Sequence, residues 1–175
     1  AIYTAAVIEG LTRAIPREQR PEPGLSYLAG LLHNFGYLVL AHVFPPHFSL
    51  ICRHLEANPH LSHSHVEQHL LGITREQIGA WLMRLWGMPE ELAAALRFQN
   101  DPGYDGEDAA YPNLVCLAVR MLRNRGIGSG PDTEVPQQLF DRLGITREKA
   151  NDAIAKVLAA EAALRALAMQ FNSPH

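Results

Sequence analysis

Apolar residues recur along this chain at the three- and four-residue spacing of α-helices, and no segment shows the strict alternation of a strand. β-branched residues are sparse, and prolines and glycines separate the apolar segments. The pattern predicts an all-α protein, a compact multi-helix bundle with a long C-terminal helix. The predicted helices cover residues 1–15, 25–43, 46–57, 62–71, 74–86, 89–99, 111–125, 136–142 and 146–171.

The clearest apolar face lies on the helix predicted for residues 74–86. Thr74 and Gln77 have the spacing of a capping box at its start, and Gly87 follows its end. The apolar residues fall at i, i+3, i+4, i+7 and i+8, which places them on one side of a helix. We therefore expect this face to be central to the core. Its residues are Ile78, Trp81, Leu82, Leu85 and Trp86.

The C-terminal helix predicted for residues 146–171 also carries an apolar stripe, and two interpretations of it remain open. It packs within the bundle, or it forms a docking face for a protein partner, another domain or a second copy of the chain. The stripe consists of Ile154, Val157, Leu158, Leu164, Leu167 and Phe171.

The length of 175 residues and the apolar content of 47% fit a single domain with a buried core. We expect one unit over residues 1–175, with its core at about 1–125 and a C-terminal helical extension at about 132–175. The chain begins without Met and within a helical pattern, which favours a fragment of a longer protein.

Charge and composition limit which binding partners and which cellular compartment are expected. The net charge of -3 argues against non-specific nucleic-acid binding, which needs a strong positive excess. No basic segment precedes an apolar one at the N-terminus, so a signal peptide is not expected. Cys52 and Cys116 lack any zinc-site spacing and suit a reduced cytoplasmic protein. We interpret the apolar span 25–44 as a buried helix and not as a membrane segment, because polar residues and a glycine interrupt it. These residues are Ser26, His33, Asn34, Gly36 and His42.

Histidine is concentrated in one part of the chain, with seven of the nine residues between positions 42 and 69. His65 and His69 lie four residues apart on a predicted helix and could share a metal. However, Glu67 stands midway between them, whereas zinc proteases of the H-E-x-x-H type need a different order. We interpret the cluster with His60 and His63 as surface histidines, with incidental metal binding by two of them as the alternative.

A polar pair, His33 and Asn34, interrupts the apolar stretch "GLLHNFGYLVL" at residues 30–40. Three explanations are open: metal ligands, the remains of a metal site, or a helix end whose polar groups are satisfied locally. The surrounding sequence bears on the choice. Residues 27–45, "YLAGLLHNFGYLVLAHVFP", and residues 67–100, "EQHLLGITREQIGAWLMRLWGMPEELAAALRFQN", each carry an ordered set of motif residues.

These two segments resemble the HDOD family, bacterial signalling domains related to the HD-type metal-dependent phosphohydrolases. The first resembles the family's Gly-Leu-Leu-His-Asp-hydrophobic-Gly block. The second resembles its Glu, Gly, Gly-Ala-x-Leu and Trp-x-x-Pro in the same order. The resemblance covers most of residues 1–125 and implies the C-terminal, HD-like half of an HDOD domain. His33 and Asn34 then correspond to the His-Asp pair that binds a divalent cation in the HD-type phosphohydrolases.

The resemblance also implies that the metal site is degenerate. His33 is retained as a possible metal ligand. Asn34 replaces the carboxylate, and Arg75 places a positive charge where a histidine is expected. The positions that correspond to the metal shell are Thr4, His33, Asn34, Arg75, Gln99, Asn100 and Val119. We therefore expect a vestigial pocket with no catalytic residue, no metal and no cofactor.

The first functional hypothesis is a non-catalytic signalling module that acts through protein contacts. Its expected partners are other proteins or an upstream sensory or receiver domain, not nucleic acid or membrane, and a homodimer is left open. Two alternatives remain. One is a metal-dependent phosphohydrolase acting on nucleotides or cyclic dinucleotides, which the missing ligands disfavour. The other is a nucleotide sensor without hydrolysis, in which Arg75, Gln99 and Asn100 would contact phosphate or base.

Overall fold

The computed structural model describes residues 1–128 and 134–172, and every regular element among them is helical, which confirms the all-α prediction. Residues 132, 133 and 173–175 of the predicted C-terminal extension lie outside the described residues. In chain order the elements are α1 (Ile2–Ala14), a short 3-10 helix (Arg17–Gln19), α2 (Pro23–Leu32), α3 (Phe35–Val43), α4 (Pro45–Ala57), α5 (His63–Leu71), α6 (Arg75–Leu85), α7 (Glu90–Phe98), α8 (Ala110–Arg123), α9 (Gln137–Leu143) and α10 (Arg147–Phe171).

The main core lies where α1, α7 and α8 meet. Leu11 of α1, Leu92 of α7 and Leu117 of α8 are completely buried there. Phe140 of α9 and Ile154 of α10 close the same core from the C-terminal side. A second, smaller cluster joins α3, α4 and α5 through Leu40, Ile51 and Val66. The bundle therefore consists of a main body and a side layer of α3, α4 and α5.

Two glycines allow helices to cross at backbone contact. A Cβ atom at Gly36 would lie 1.8 Å from the carbonyl oxygen of Arg75, so the start of α3 rests directly on the first turn of α6. A Cβ atom at Gly30 would lie 2.7 Å from the Cα of Ala5, so α2 crosses α1 just as closely. Only glycine leaves room for such approaches. The two crossings bring α1, α2, α3 and α6 together around the His33–Asn34 turn.

The prediction of one helix over residues 25–43 is wrong, because α2 ends at Leu32 and α3 begins at Phe35. The His33 ring satisfies the break locally: its Nδ1 lies 2.7 Å from the carbonyl oxygen of Gly30 and donates to it. The apolar spacing continues across this turn, so periodicity does not reveal it. By length and composition Pro23–Val43 could cross a membrane, but one such stretch near the N-terminus is weak evidence for a span, and the turn at His33 and Asn34 divides it. Only 33% of its most apolar part is buried, so the expectation of a buried helix holds for one side of the stretch.

The expectation that the tryptophan face of α6 is central to the core is also wrong. Trp81, Leu85 and Trp86 are 59%, 61% and 56% exposed, and we call these three residues the tryptophan surface. The opposite side of α6 is buried, and its small residues Gly79 and Ala80 allow close packing against neighbouring helices. The predicted capping box of Thr74 and Gln77 is present.

The stripe on α10 divides into two parts. Ile154 is completely buried, and Val157 and Leu158 pack against the main core. From residue 162 to residue 172 every side chain is exposed, and Leu164 and Phe171 are 65% and 82% exposed. The intramolecular interpretation therefore holds for the first part of the helix, while the second part presents apolar side chains to solvent. We call residues 162–172 the α10 extension.

Candidate functional site

One cavity of about 310 Å³ brings together all seven residues that the resemblance assigns to the old metal shell. They come from α1, the turn before α3, the start of α6, the end of α7 and the middle of α8, and they are Thr4, His33, Asn34, Arg75, Gln99, Asn100 and Val119. A larger groove of about 510 Å³ between α1 and α10 is lined by none of these seven. We therefore take the smaller cavity as the candidate site, since it contains the predicted residues.

His33 is buried in the wall of the cavity, with 7% of its surface exposed. Burial lowers the pKa of its imidazole below the ordinary value, so the ring is neutral at pH 7. Because Nδ1 donates its proton to the Gly30 carbonyl, the Nε2 atom carries the lone pair. The residue thus keeps the tautomer of a metal ligand, and whether it can act as one depends on its neighbours.

Those neighbours do not fit a metal ion on His33. Asn34 offers an amide in place of a carboxylate, and Val119 has no ligand atom. The side-chain amide of Gln99 donates to the carbonyl oxygens of His33, at 2.8 Å, and Leu96, at 3.0 Å. Gln99 therefore fastens the end of α7 to the His33–Asn34 turn, which is a structural use of the position. The seven positions of the old metal shell therefore contain no carboxylate to balance the charge of a divalent cation.

Arg75 adds a fixed positive charge to the same wall. Its backbone amide and its Nε each donate to one oxygen of Glu67, both at 2.8 Å, and Glu67 is completely buried. The guanidinium also lies over the ring of Tyr37, 5.0 Å from the ring centre. This buried ion pair keeps the cation in place and opposes a metal ion at the neighbouring His33.

The structure adds two residues to the cavity that sequence reasoning missed, His63 and Glu76. The Nε2 of His63 lies 2.7 Å from Oε1 of Glu76, and the side-chain amide of Asn100 donates to the same oxygen. Burial raises the pKa of the Glu76 carboxyl, but the hydrogen bond and charge of His63 outweigh it and hold this pKa below its ordinary value. Glu76 is therefore ionised at pH 7.

The sequence contained a partial signal for this arrangement. His63 and Glu67 lie four residues apart and share one side of α5, but His63 stood among four similar histidines. Glu76 looked like an ordinary acidic residue in the first turn of a helix. The other histidines of the cluster, His60, His65 and His69, are exposed, as the surface interpretation predicts. The packing of α5 against α6 singles out His63.

Arg123 lies in the cavity wall at the end of α8. Its Nε is buried and has no hydrogen-bond partner among the described residues. A buried donor without a partner costs about 1–3 kcal/mol, so such groups in native proteins need an explanation. The cavity thus combines one guanidinium held by Glu67 with a second that retains bonding capacity.

Comparison with known proteins supports the fold and the family. A crystal structure from Marinobacter aquaeolei VT8, whose proposed role is signal transduction, is 43% identical with a TM-score of 0.82. An HDOD domain protein of unknown function from Geobacter sulfurreducens and a proposed phosphohydrolase from Shewanella amazonensis SB2B each match at 18% identity and a TM-score of 0.70. An uncharacterised protein of Treponema pallidum (strain Nichols) is 24% identical over 125 residues, or 71% of this chain.

All of these relatives are longer than this chain. The chain covers 39% of the Marinobacter protein, 56% of the Shewanella protein, 59% of the Geobacter protein and 24% of the Treponema protein. The two structures at 18% identity show the fold alone. The HDOD domain family model matches residues 1–102, which is more than half of the sequence. The chain therefore belongs to the HDOD family.

Proposed function

We propose that this chain is a non-catalytic signal-transduction module that acts through protein contacts. The observation that carries the proposal is the buried ion pair of Arg75 and Glu67 in the wall of the old metal site. Phosphohydrolases of the HD type depend on metal-bound water, and the metal needs anionic ligands. Here the positions of the old metal shell beside His33 offer amides and a guanidinium, which suit neither a metal ion on His33 nor an acidic bound water.

Two exposed apolar regions support the contact role. The tryptophan surface places three large apolar side chains on one side of α6, and the α10 extension adds Leu164, Leu167 and Phe171. Exposed apolar patches of this kind are typical of protein interfaces, where tryptophan often supplies much of the binding energy. The expected partner is another protein or another domain of a longer chain. We also propose a cytoplasmic location, and the net charge of -3 disfavours nucleic acid as the partner.

Allelic exchange in the host cell tests this proposal. The double variant Trp81→Glu and Leu85→Glu should reproduce the transcriptional response of a gene deletion, because it places charge on the tryptophan surface. The double variant Thr4→Val and Asn34→Ala changes the cavity instead and should leave signalling intact. Protein levels of both variants are matched by immunoblot. Loss of signalling in the cavity variant with normal signalling in the surface variant would contradict a contact role.

Nucleotide sensing without hydrolysis is a second candidate, and Arg123 is the observation that favours it. A phosphate could accept from the Nε of Arg123, which has no partner among the described residues, and Asn34 and Asn100 line the same cavity. Isothermal titration with nucleotides and cyclic dinucleotides tests this candidate. Binding that Arg123→Gln weakens would support it, and no heat with any of these ligands would rule it out.

A further inference from the structure

We propose that His63, Glu67 and Glu76, none of which belongs to the old metal shell, form a binding site for one divalent transition-metal ion beside that shell. One ligand atom from each of these side chains lies within 4.8 Å of the other two. His63 and Glu67 lie one turn apart on α5, and Glu76 stands in the first turn of α6. The site therefore joins two helices that follow each other in the sequence.

The ligand set suits zinc, manganese or ferrous iron. One imidazole nitrogen and two carboxylate oxygens are ligands that these ions accept. Glu67 is completely buried and Glu76 is 6% exposed, so both are held in place and shielded from water. A tetrahedral zinc ion with bonds of about 2.0–2.1 Å requires ligand atoms roughly 3.3 Å apart. Adjustments of about an ångström in three side chains would give that spacing.

Metal binding would change the tautomer of His63. In the described structure the Nε2 of His63 lies 2.7 Å from Oε1 of Glu76, so this nitrogen donates to the carboxylate. A metal ion needs the lone pair on the same nitrogen, so the ring must carry its proton on Nδ1 when the metal is bound. The amide of Asn100 lies 3.4 Å from His63 Nε2, and a half-turn of this group would present its oxygen as a fourth ligand.

Arg75 lowers the affinity of this site for a metal ion. It occupies one hydrogen-bonding position on each oxygen of Glu67, and each carboxylate oxygen can accept a second interaction. The neighbouring guanidinium repels a cation, so the variant Arg75→Ala should bind metal more tightly than the wild-type chain. A purely structural arrangement of the three side chains would not respond in this way.

A metal here would not rebuild the HD centre, because Thr4 and Val119 still occupy ligand positions of that centre. The consequence we infer is mechanical: the ion fastens α5 to α6 and raises the stability of that pair. This inference does not depend on the proposed signalling function. Turnover by the zinc-loaded chain would contradict the signalling proposal alone, and absence of zinc binding would overturn this inference alone.

The test uses untagged, chelator-treated protein titrated with Zn²⁺ in competition with a chromophoric chelator. We expect one zinc ion per chain and an increase in the melting temperature. His63→Ala and Glu76→Gln should each weaken binding by at least about ten-fold. The double variant His65→Ala and His69→Ala removes two exposed histidines of the same helix and should bind as the wild-type chain does, which makes it the matched control.

Two results would overturn the proposal. One is a wild-type chain that binds no zinc at concentrations that saturate the chelator. The other is a control variant that loses as much affinity as His63→Ala, which would assign binding to surface histidines. Circular dichroism of each metal-free variant establishes that it is folded. If Glu76→Gln fails to fold, the zinc affinity of His63→Ala tests the proposal instead. The His63 side chain is 33% exposed, so its removal leaves the core intact.

Discussion

Gly36→Ala should destabilise the protein strongly, although alanine is the better helix former. The new Cβ atom would lie 1.8 Å from the carbonyl oxygen of Arg75 and 3.1 Å from the backbone nitrogen of Gly79. Ordinary contact begins at 3.4 Å, and the obstructing atoms belong to the backbone, so no side-chain rotation relieves the clash. The start of α3 must move away from α6 by more than an ångström.

The expected size follows from two opposing effects. Helix propensity favours alanine over glycine by roughly 1 kcal/mol. Overpacking typically costs about 1–3 kcal/mol and more where the backbone must shift, and this crossing is a contact between two backbones. We therefore expect a net loss of at least about 2 kcal/mol in the free energy of unfolding.

Gly10→Ala is the matched control. Gly10 also lies inside a helix, but its Cβ atom would meet Ala153 and Val157 at 3.6 Å, an ordinary contact distance. Helix propensity is therefore the main effect of this substitution. The free energy of unfolding of Gly10→Ala should rise by about 0.5–1 kcal/mol. Urea unfolding followed by circular dichroism, with slopes compared among the three proteins, measures both effects. Equal stabilities of Gly36→Ala and the wild-type chain would refute the close crossing of α3 and α6.

Four further predictions follow from the site and the surfaces. Trp81→Ala should cost less than about 1 kcal/mol in urea unfolding, since the ring is 59% exposed; a loss of 3 kcal/mol or more would place it in the core. Stability should fall as the pH drops below about 6.5, because the folded state keeps His33 neutral while the unfolded chain binds a proton; His33→Gln should flatten this part of the pH profile, and an unchanged profile would contradict it. Asn34→Asp restores one carboxylate but should stay at background in a manganese-supplemented phosphodiesterase assay, and clear turnover would show that the other ligands are misassigned. Leu164→Glu should preserve helicity by circular dichroism and reduce any self-association seen by light scattering, whereas unfolding would show that the α10 extension is part of the core.

Local features of the fold could be predicted from the sequence. The capping box of Thr74 and Gln77 and the glycine that ends α6 depend only on neighbouring residues, and both are present. The convergence of the seven cavity residues could not come from periodicity. It came from the resemblance to a family whose ligands lie on separate helices.

Features that depend on how the helices pack against one another could not be predicted from the sequence. Periodicity correctly places Trp81 and Leu85 on one side of α6, but it does not tell which side faces the core. The buried side carries Gly79 and Ala80, whose small size contributes little to a hydrophobic pattern and much to close packing. The pairing of His63 with Glu76 has the same origin, since it requires α5 to lie against the start of α6.

Turnover by the purified chain bears most directly on the proposed non-catalytic function. Nucleotides, phosphomonoesters, phosphodiesters and cyclic dinucleotides are incubated with the wild-type protein and with magnesium, manganese, ferrous iron or zinc. We predict phosphate or nucleotide release no faster than in protein-free buffer with every metal. Hydrolysis that His33→Ala abolishes would contradict the proposal, because it would show that the cavity still supports metal-dependent chemistry.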